Sequence, residues 1–148
     1  MATNNLTQFA LDLSNFAKVS VPAQHKVIVQ KISFEVLKGI ILKNPVGNKD
    51  LWKYPSGKPY TGGRSRANWS VSLGAPSGLI IDATDKSGAD TISKGTATIG
   101  IAEPLKQVIW VENNLPYIEP LENGHSSQAP AGMVELTLHE VQTFMDNL

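Results

Sequence analysis

Apolar residues recur at helical spacing in the first third of the chain. Between Asn5 and Val19 they lie three or four residues apart, at Leu6, Phe9, Leu13 and Phe16. From Ala23 to Lys43 one stripe consists of Val29, Ile32, Val36 and Ile40, widened by Val27, Phe34, Leu37 and Ile41. This spacing predicts a short amphipathic helix and then a long one that starts near Pro22 and ends at Asn44-Pro45. The wide apolar face predicts that the long helix packs against a sheet.

The middle of the chain has the shorter period of half-buried strands. Ala67, Trp69, Val71 and Leu73 alternate with polar residues, which predicts a strand. Further strands are predicted at 79–81, 96–101 and 108–112. The polar, glycine-containing segment from Asp82 to Gly95 predicts an exposed loop. A last helix is predicted to open at Pro130, with one apolar face formed by Val134, Leu138, Val141 and Met145.

These elements predict a single α+β domain over residues 1–148. A mostly antiparallel sheet of about four strands would be packed by the long N-terminal helix and the C-terminal helix. The 148 residues suffice to bury a core without covalent cross-links. The chain has no cysteine, so disulfides and thiolate metal sites are excluded. We expect neither a signal peptide nor a membrane-spanning segment.

A Gly- and Pro-rich segment from Asn44 to Ser65 shows no period and predicts a long loop. It carries three aromatic residues, at Trp52, Tyr54 and Tyr60. Exposed aromatic clusters are costly on a monomer and common at interfaces. We therefore expect these three side chains to be covered by a neighbouring subunit.

Opposite charges are concentrated in the two parts of the chain, although its formal net charge is zero. Residues 1–100 carry 12 basic and 6 acidic groups, whereas residues 101–148 carry one basic and 7 acidic groups. A protein that binds nucleic acid on its own is normally basic, so the balance argues against that class. The asymmetry leaves two interpretations open. Either the two parts neutralise each other within one fold, or a positive face meets the negative face of a neighbouring subunit.

Two short constellations invite a chemical interpretation. Glu119, Glu122 and His125 recur every three residues, a spacing that metal sites use on helices. Prolines and a glycine interrupt this segment, so we expect solvated carboxylates rather than a metal site, and a small metal-dependent hydrolase is the less favoured alternative. The glycines before Arg64 could hold an anion on their amides, but a turn before a strand is the simpler interpretation. We expect no catalytic residue, no metal and no cofactor.

Two segments together resemble a family of virion proteins. The first is Tyr60–Trp69, with the sequence YTGGRSRANW, and the second is Asn113–Val134, with the sequence NNLPYIEPLENGHSSQAPAGMV. In order and spacing they are similar to the minor tail or tail-completion proteins of tailed bacteriophages. In that family a TGR-type strand entry follows a long N-terminal helix, and a glutamate-containing turn leads into a C-terminal helix. Gly63 is an insertion relative to the pattern, which leaves open whether Arg64 or Arg66 corresponds to the family's arginine.

The resemblance implies a structural virion protein and not an enzyme. Such a protein forms a homo-oligomeric ring, six-fold by expectation, in the neck of the phage. Its partners would be head connector or adaptor proteins and tail terminator or tail tube proteins, with no membrane. DNA would pass through the channel without sequence-specific contacts. The alternative is a ring that terminates the tail or caps the tail tube of the same virion. The chain would be made in the host cytoplasm and would end in the virion.

The charge asymmetry suggests how subunits of such a ring meet. A head-to-tail ring needs two different complementary surfaces on each subunit. We expect Arg64 or Arg66 to bind Glu119 or Glu122 of the next subunit, at the turn that also carries Tyr117. Arginine suits this contact because its planar guanidinium can bind a carboxylate through two parallel hydrogen bonds. The alternative is that these groups pair within one subunit or face water.

Overall fold

Helices dominate the computed structural model, which describes residues 3–51 and 59–147. The helices are α1 (Thr3–Asn15), α2 (Val21–Lys43), α3 (Arg64–Ala67), α4 (Ala89–Gly100), α5 (Ile118–Glu122) and α6 (Val134–Asp146). A 3-10 turn covers Lys49–Leu51. Two strands, β1 (Ser70–Leu73) and β2 (Ile109–Glu112), pair in antiparallel fashion, with Ser70 opposite Glu112. The predicted mixture of helix and antiparallel sheet is confirmed, but the described residues form two strands and not about four.

The two predicted N-terminal helices are one continuous helical rod. A π-helical segment, Phe16–Ser20, joins α1 to α2, and the Val21 N–H bonds to the Phe16 carbonyl. Pro22 lies two residues after the end of this wide turn. Because proline has no N–H to donate to the carbonyl four residues earlier, the helix departs from regular geometry just where the proline requires it.

Helix α2 packs mainly against two helices, α4 and α6, so the prediction that it packs against a sheet is wrong. Both contacts are made at glycines. A Cβ added to Gly39 would lie 2.5 Å from the Thr137 side chain on α6. A Cβ added to Gly95 on α4 would lie 2.4 Å from the Leu37 side chain. The missing side chains let these helices approach α2 closely, so helices provide much of the cover that we expected from a sheet.

Helix α4 replaces both a predicted strand and part of a predicted loop. Residues 96–101 alternate like a strand, yet all but the last belong to α4, which begins inside the segment predicted as an exposed loop. Its buried residues are Thr91, Gly95 and Ile99, which are four residues apart. Only Ile99 is strongly apolar, so this helical face was not visible in the hydrophobic pattern.

The predicted strand at 79–81 is an extended segment outside the sheet. Side chains bind its backbone: the Asn68 carboxamide accepts from the Ile81 N–H at 2.7 Å and donates to the Ile81 carbonyl at 2.9 Å. Asn114 donates to the Leu79 carbonyl at 3.1 Å. Side-chain amides therefore replace a neighbouring strand, and the Leu79 and Ile80 side chains remain exposed.

The core consists of Leu37, Ile40, Ile41, Trp69, Ile99 and Met133. Met133 is fully buried immediately before α6, which begins at Val134 and not at the predicted Pro130. The predicted apolar face of this helix is only partly correct. Thr137 and Val141 are buried, whereas Leu138 is exposed. The face shifts because the helix meets α2 at Gly39, where a threonine fits and a leucine does not.

The glycine contact between α4 and α2 generates a stability prediction. We expect Gly95→Ala to destabilise the fold by about 1–3 kcal/mol, because the new methyl group overlaps Leu37 and Val71. Gly100→Ala is the matched control, since a Cβ at Gly100 meets nothing within 4 Å. The control should be neutral or slightly stabilising. Chemical unfolding of the two variants measures the difference, and equal stabilities would contradict this packing.

Candidate functional site

The segment Gly62–Trp69 adopts a conformation that requires its two glycines. Gly62 and Gly63 have φ angles of 76° and 83°, in the left-handed region. A Cβ at Gly63 would lie 2.8 Å from the backbone of Asp85 and Lys86, and the Gly63 carbonyl accepts from the Asp85 N–H at 3.1 Å. The second glycine thus lets the strand entry lie directly against residues 85–86. This contact explains in structural terms why a glycine stands at position 63.

Arg66 closes the C-terminal end of α2. Its guanidinium donates to the Asn44 carbonyl from Nη2 at 2.6 Å and from Nε at 3.2 Å. It also donates to the carbonyls of Leu42 and Lys86. The last carbonyls of a helix have no partner within the helix, so a cation placed here is favourable both as a donor and toward the helix dipole. Arg66 is therefore a structural residue of the subunit.

A buried asparagine connects α2 to the strand entry. The Asn44 side-chain oxygen accepts from the Trp69 indole N–H at 2.9 Å and from the Ser65 hydroxyl at 3.0 Å. Asn44 is completely buried. The sequence marks Asn44 only as the end of a helix. The one sequence signal for its buried role is the Asn-Pro pair with a tryptophan downstream. A buried carboxamide with both partners in place fixes one arrangement of these elements.

The second of the two resembling segments lies against the first. Asn113 donates to the Ser65 carbonyl at 2.9 Å. Glu122 then accepts from three backbone N–H groups at the start of α6: Met133 at 2.8 Å, Val134 at 2.8 Å and Glu135 at 2.9 Å. Burial alone would raise the pKa of Glu122, but the three hydrogen bonds together outweigh it, and the pKa lies below its ordinary value. The Glu122 carboxylate therefore caps the N-terminus of α6 from α5, in place of a side chain at the N-cap position, which Met133 occupies.

A cleft of about 530 Å³ opens between the two segments. Its lining includes Tyr60 and Arg64 from the first segment and Tyr117 and His125 from the second, and is completed by Pro45, Gly47, Asn48, Ser65, Leu121, Ser126, Ser127 and Gln128. Burial raises the pKa of Tyr117, Tyr60 raises it further and Arg64 opposes them. No carboxylate is among these lining residues. The cleft is therefore aromatic and positively charged, and it suits an acidic or aromatic group of a partner.

The predicted interface residues fall into three groups. Tyr60, Arg64 and Tyr117 come together in the cleft, and the exposed Arg64 side chain makes no hydrogen bond to any described residue. Glu119 is exposed on α5. Arg66 and Glu122 bond to backbone groups of their own chain. Trp52 and Tyr54 lie outside the described residues.

The expected loop at residues 44–65 is also partly ordered by its own chain. Tyr60 is 37% exposed, and its ring lies so close to Gly47 that a Cβ there would be 2.1 Å from the hydroxyl. Tyr60 is thus half covered before any neighbour binds. Its remaining face lines the cleft.

The described residues contain no cluster of side chains that could serve as the ligands of a metal ion. Residues 118–122 are helical, unlike the broken turn that we expected. Across residues 3–51 and 59–147, however, no group of three or more His, Asp or Glu side chains could hold an ion. His125 is occupied elsewhere: its Nδ1 lies 2.9 Å from the Pro120 carbonyl oxygen.

Comparison with protein-family models, with curated proteins and with solved structures gave no match for the chain. Within the described residues, no helix combines the length and the apolar character needed to cross a membrane.

The two arginines of the strand entry generate opposite predictions. Arg66→Met should destabilise the subunit by about 2 kcal/mol, because buried helix-end carbonyls lose charged donors. Arg64→Met should change stability by less than about 0.5 kcal/mol, as exposed substitutions usually do. Urea unfolding of both variants measures this contrast. A larger loss for Arg64→Met would contradict the assignment of Arg66 as the structural arginine.

Glu122 generates a pH prediction. Because its pKa is lower in the folded chain than in the unfolded chain, its contribution is complete above the unfolded pKa of about 4.3 and is lost as pH falls through the folded pKa. Glu122→Gln should therefore cost about 1 kcal/mol at neutral pH, and the difference from wild type should shrink in acid below about pH 4. Glu119→Gln, on the same short helix, is the control and should show no such trend. A pH-independent difference for Glu122→Gln would contradict the capping role.

Proposed function

We propose that the chain is a structural subunit of a tailed-phage virion, which forms a ring in the neck, joins the head connector to the tail and leaves a channel for DNA. The observation that carries the proposal is the convergence of the two resembling segments. They contact each other through Asn113 and Ser65 and line one cleft with Tyr60, Arg64 and Tyr117. Residues that are far apart in the chain and carry the resemblance thus build one surface feature.

Uncovered apolar surface supports a function in assembly. Leu6, Phe9, Leu13 and Phe16, three or four residues apart on the N-terminal helical arm, are each at least half exposed. Monomeric proteins rarely expose contiguous apolar patches of this kind unless they serve as binding surfaces. A subunit whose function is to fit against other subunits accounts for them.

The polar groups of the alternative hydrolase site already serve the fold. Glu122 caps α6 through three backbone hydrogen bonds. His125 is held by the Pro120 carbonyl. A metal would have to displace these hydrogen bonds, so their arrangement favours assembly over catalysis.

Within this proposal, Arg64 and Glu119 are the better candidates for the ring-closing charge pair. Arg66 and Glu122, the other two candidates, hold helix ends within the subunit. Part of the charge asymmetry is neutralised internally, because Lys26 binds Glu103 and Lys43 binds Glu140, each at 2.6 Å. Both ion pairs join the basic first 100 residues to the acidic remainder. Arg64 therefore remains the arginine best placed to receive a carboxylate from a neighbouring subunit.

Electron microscopy and mass measurement of the purified chain test the proposal. We expect closed six-fold rings that bind a connector protein. Arg64→Glu should weaken assembly by about 2–5 kcal/mol if the pair is partly desolvated, and adding Glu119→Arg should restore part of it. Arg64→Gln with Glu119→Gln is the uncharged control for the pair.

The variants must keep the folded monomer, which the exposure of both side chains allows. Rings that bind a tail tube end but no connector would favour the tail-terminator alternative. A chain that stays monomeric at high concentration and binds neither partner would contradict the neck function.

A further inference from the structure

The N-terminal arm, residues 3–20, carries an apolar seam that its own subunit does not cover. Leu6 is 76% exposed, Phe9 64%, Leu13 55% and Phe16 52%. None of them belongs to the core cluster. The spacing between them is three, four and three residues. In a helix this alternation places the side chains on one narrow stripe, which is the pattern that packs against another helix.

A groove on the body offers a matching surface. It lies between α2 and the segment 104–109, has a volume of about 520 Å³ and is lined on the α2 side by His25, Val29 and Ser33. Leu105 and Val108 stand at its other side, 62% and 58% exposed. Lys106 is the one lysine or arginine in the lining, and no carboxylate is among the lining residues.

The arm cannot reach the groove of its own subunit. The rod runs without interruption from Thr3 to Lys43, and His25 marks the start of the groove. At 1.5 Å per residue, Phe9 lies roughly 24 Å from His25 along the helix axis. A groove of this kind that receives the arm must therefore belong to a different molecule.

The charges of the arm argue against a lipid surface. Asp12 and Lys18 are the two charged side chains in the first 20 residues. Helices that lie in a membrane interface carry many lysines and arginines on their polar face. An arm with one acidic and one basic residue lacks such a basic face, so its apolar seam suits a protein groove instead.

The exposed area of the seam is a substantial part of what a stable contact needs. A phenylalanine offers about 150–250 Å², so the seam of two phenylalanines and two leucines presents on the order of 400 Å². A standard interface buries about 800 Å² on each partner. The seam alone would supply about half of one side, and the polar flanks of the arm would add to it.

We propose that the arm of one copy lies in the groove of a second copy, with Phe9 and Phe16 packed against Val29, Leu105 and Val108. This proposal rests on the proposed ring-forming function and specifies one contact between its subunits. Arm and groove are different surfaces, so the contact is heterologous. Repetition of a heterologous contact closes a ring when the rotation between subunits fits, and otherwise continues as a filament.

Cysteine cross-linking tests the contact directly, because the natural chain has no cysteine. One preparation carries a single cysteine on the arm, at Leu6, Phe9, Leu13 or Phe16 in turn, and the other carries Val108→Cys. When the two preparations are mixed and mildly oxidised, at least one arm position should form a disulfide-linked heterodimer. A disulfide requires Cβ atoms about 3.5–4.5 Å apart, so its formation reports close contact. Ile80→Cys replaces Val108→Cys as the control, because Ile80 is similarly exposed but lies outside the groove.

Substitution gives an independent measurement. Phe9→Ser should raise the dissociation constant of self-association by about tenfold or more, as expected for a buried interface aromatic. Ile80→Ser, the control, should leave it unchanged. Circular dichroism and thermal unfolding should be the same as wild type for both variants, because neither residue lies in the core.

The outcomes separate this proposal from the proposed function. Disulfides between two arms, with none between arm and groove, would overturn the groove as the arm's binding site. Rings that persist unchanged with Phe9→Ser and give no arm–groove disulfide would overturn the contact but leave the neck function standing. Arm–groove disulfides in a protein that neither closes rings nor binds a connector would support the contact and overturn the neck function.

Discussion

Hydrogen bonds at the C-terminal end of α2 hold several distant parts of the chain together. A long helix that stops inside a protein leaves its last carbonyls without partners, and burying them unpaired would cost several kcal/mol. Arg66 donates to these carbonyls, and the buried Asn44 carboxamide binds Trp69 and Ser65 at the same place. The strand entry is therefore held to the helix end by polar bonds as well as by apolar packing. Through Ser65 the same junction also holds Asn113, and with it the segment that leads to α5 and α6.

Glycines and small polar residues allow a small core to be well packed. Gly39 and Gly95 let α6 and α4 approach α2 closely, and Thr137 fills the space over Gly39. Side-chain carboxamides and carboxylates replace backbone partners elsewhere, as Asn68 does for Ile81 and Asp85 does for Thr91 at the start of α4. The fold thus needs few strands, because side chains satisfy backbone groups that a larger sheet would have paired.

Side chains at this junction and side chains on the exposed surfaces differ in whether their own subunit satisfies them. Residues that hold the junction are satisfied within the subunit, while Arg64 in the cleft and the apolar seam of the arm are not. Two ion pairs neutralise part of the charge difference between the two parts of the chain. What remains exposed is an aromatic, positively charged cleft and an apolar arm with no net charge.

Elements whose signal is local could be predicted from the amino-acid sequence. The helical stripe of residues 23–43, the end of that helix at Asn44 and the strands at 70–73 and 109–112 are visible because apolar periodicity reports directly which face is buried. The coarse α+β class follows from them. Three of the residues that line the cleft, Tyr60, Arg64 and Tyr117, are among the interface residues that the sequence predicts.

The remaining features could not be predicted in this way, because they arise from contacts between residues that are distant in the chain. The buried face of α4 is made of Thr91, Gly95 and Ile99, and nothing in a hydrophobic pattern marks a threonine or a glycine as buried. Whether Leu79–Ile81 joined a sheet depended on Asn68 and Asn114 reaching its backbone first. The distinct roles of Arg64 and Arg66 could not be separated by spacing either. One of two neighbouring arginines meets the end of α2, and only the path of the folded chain determines which.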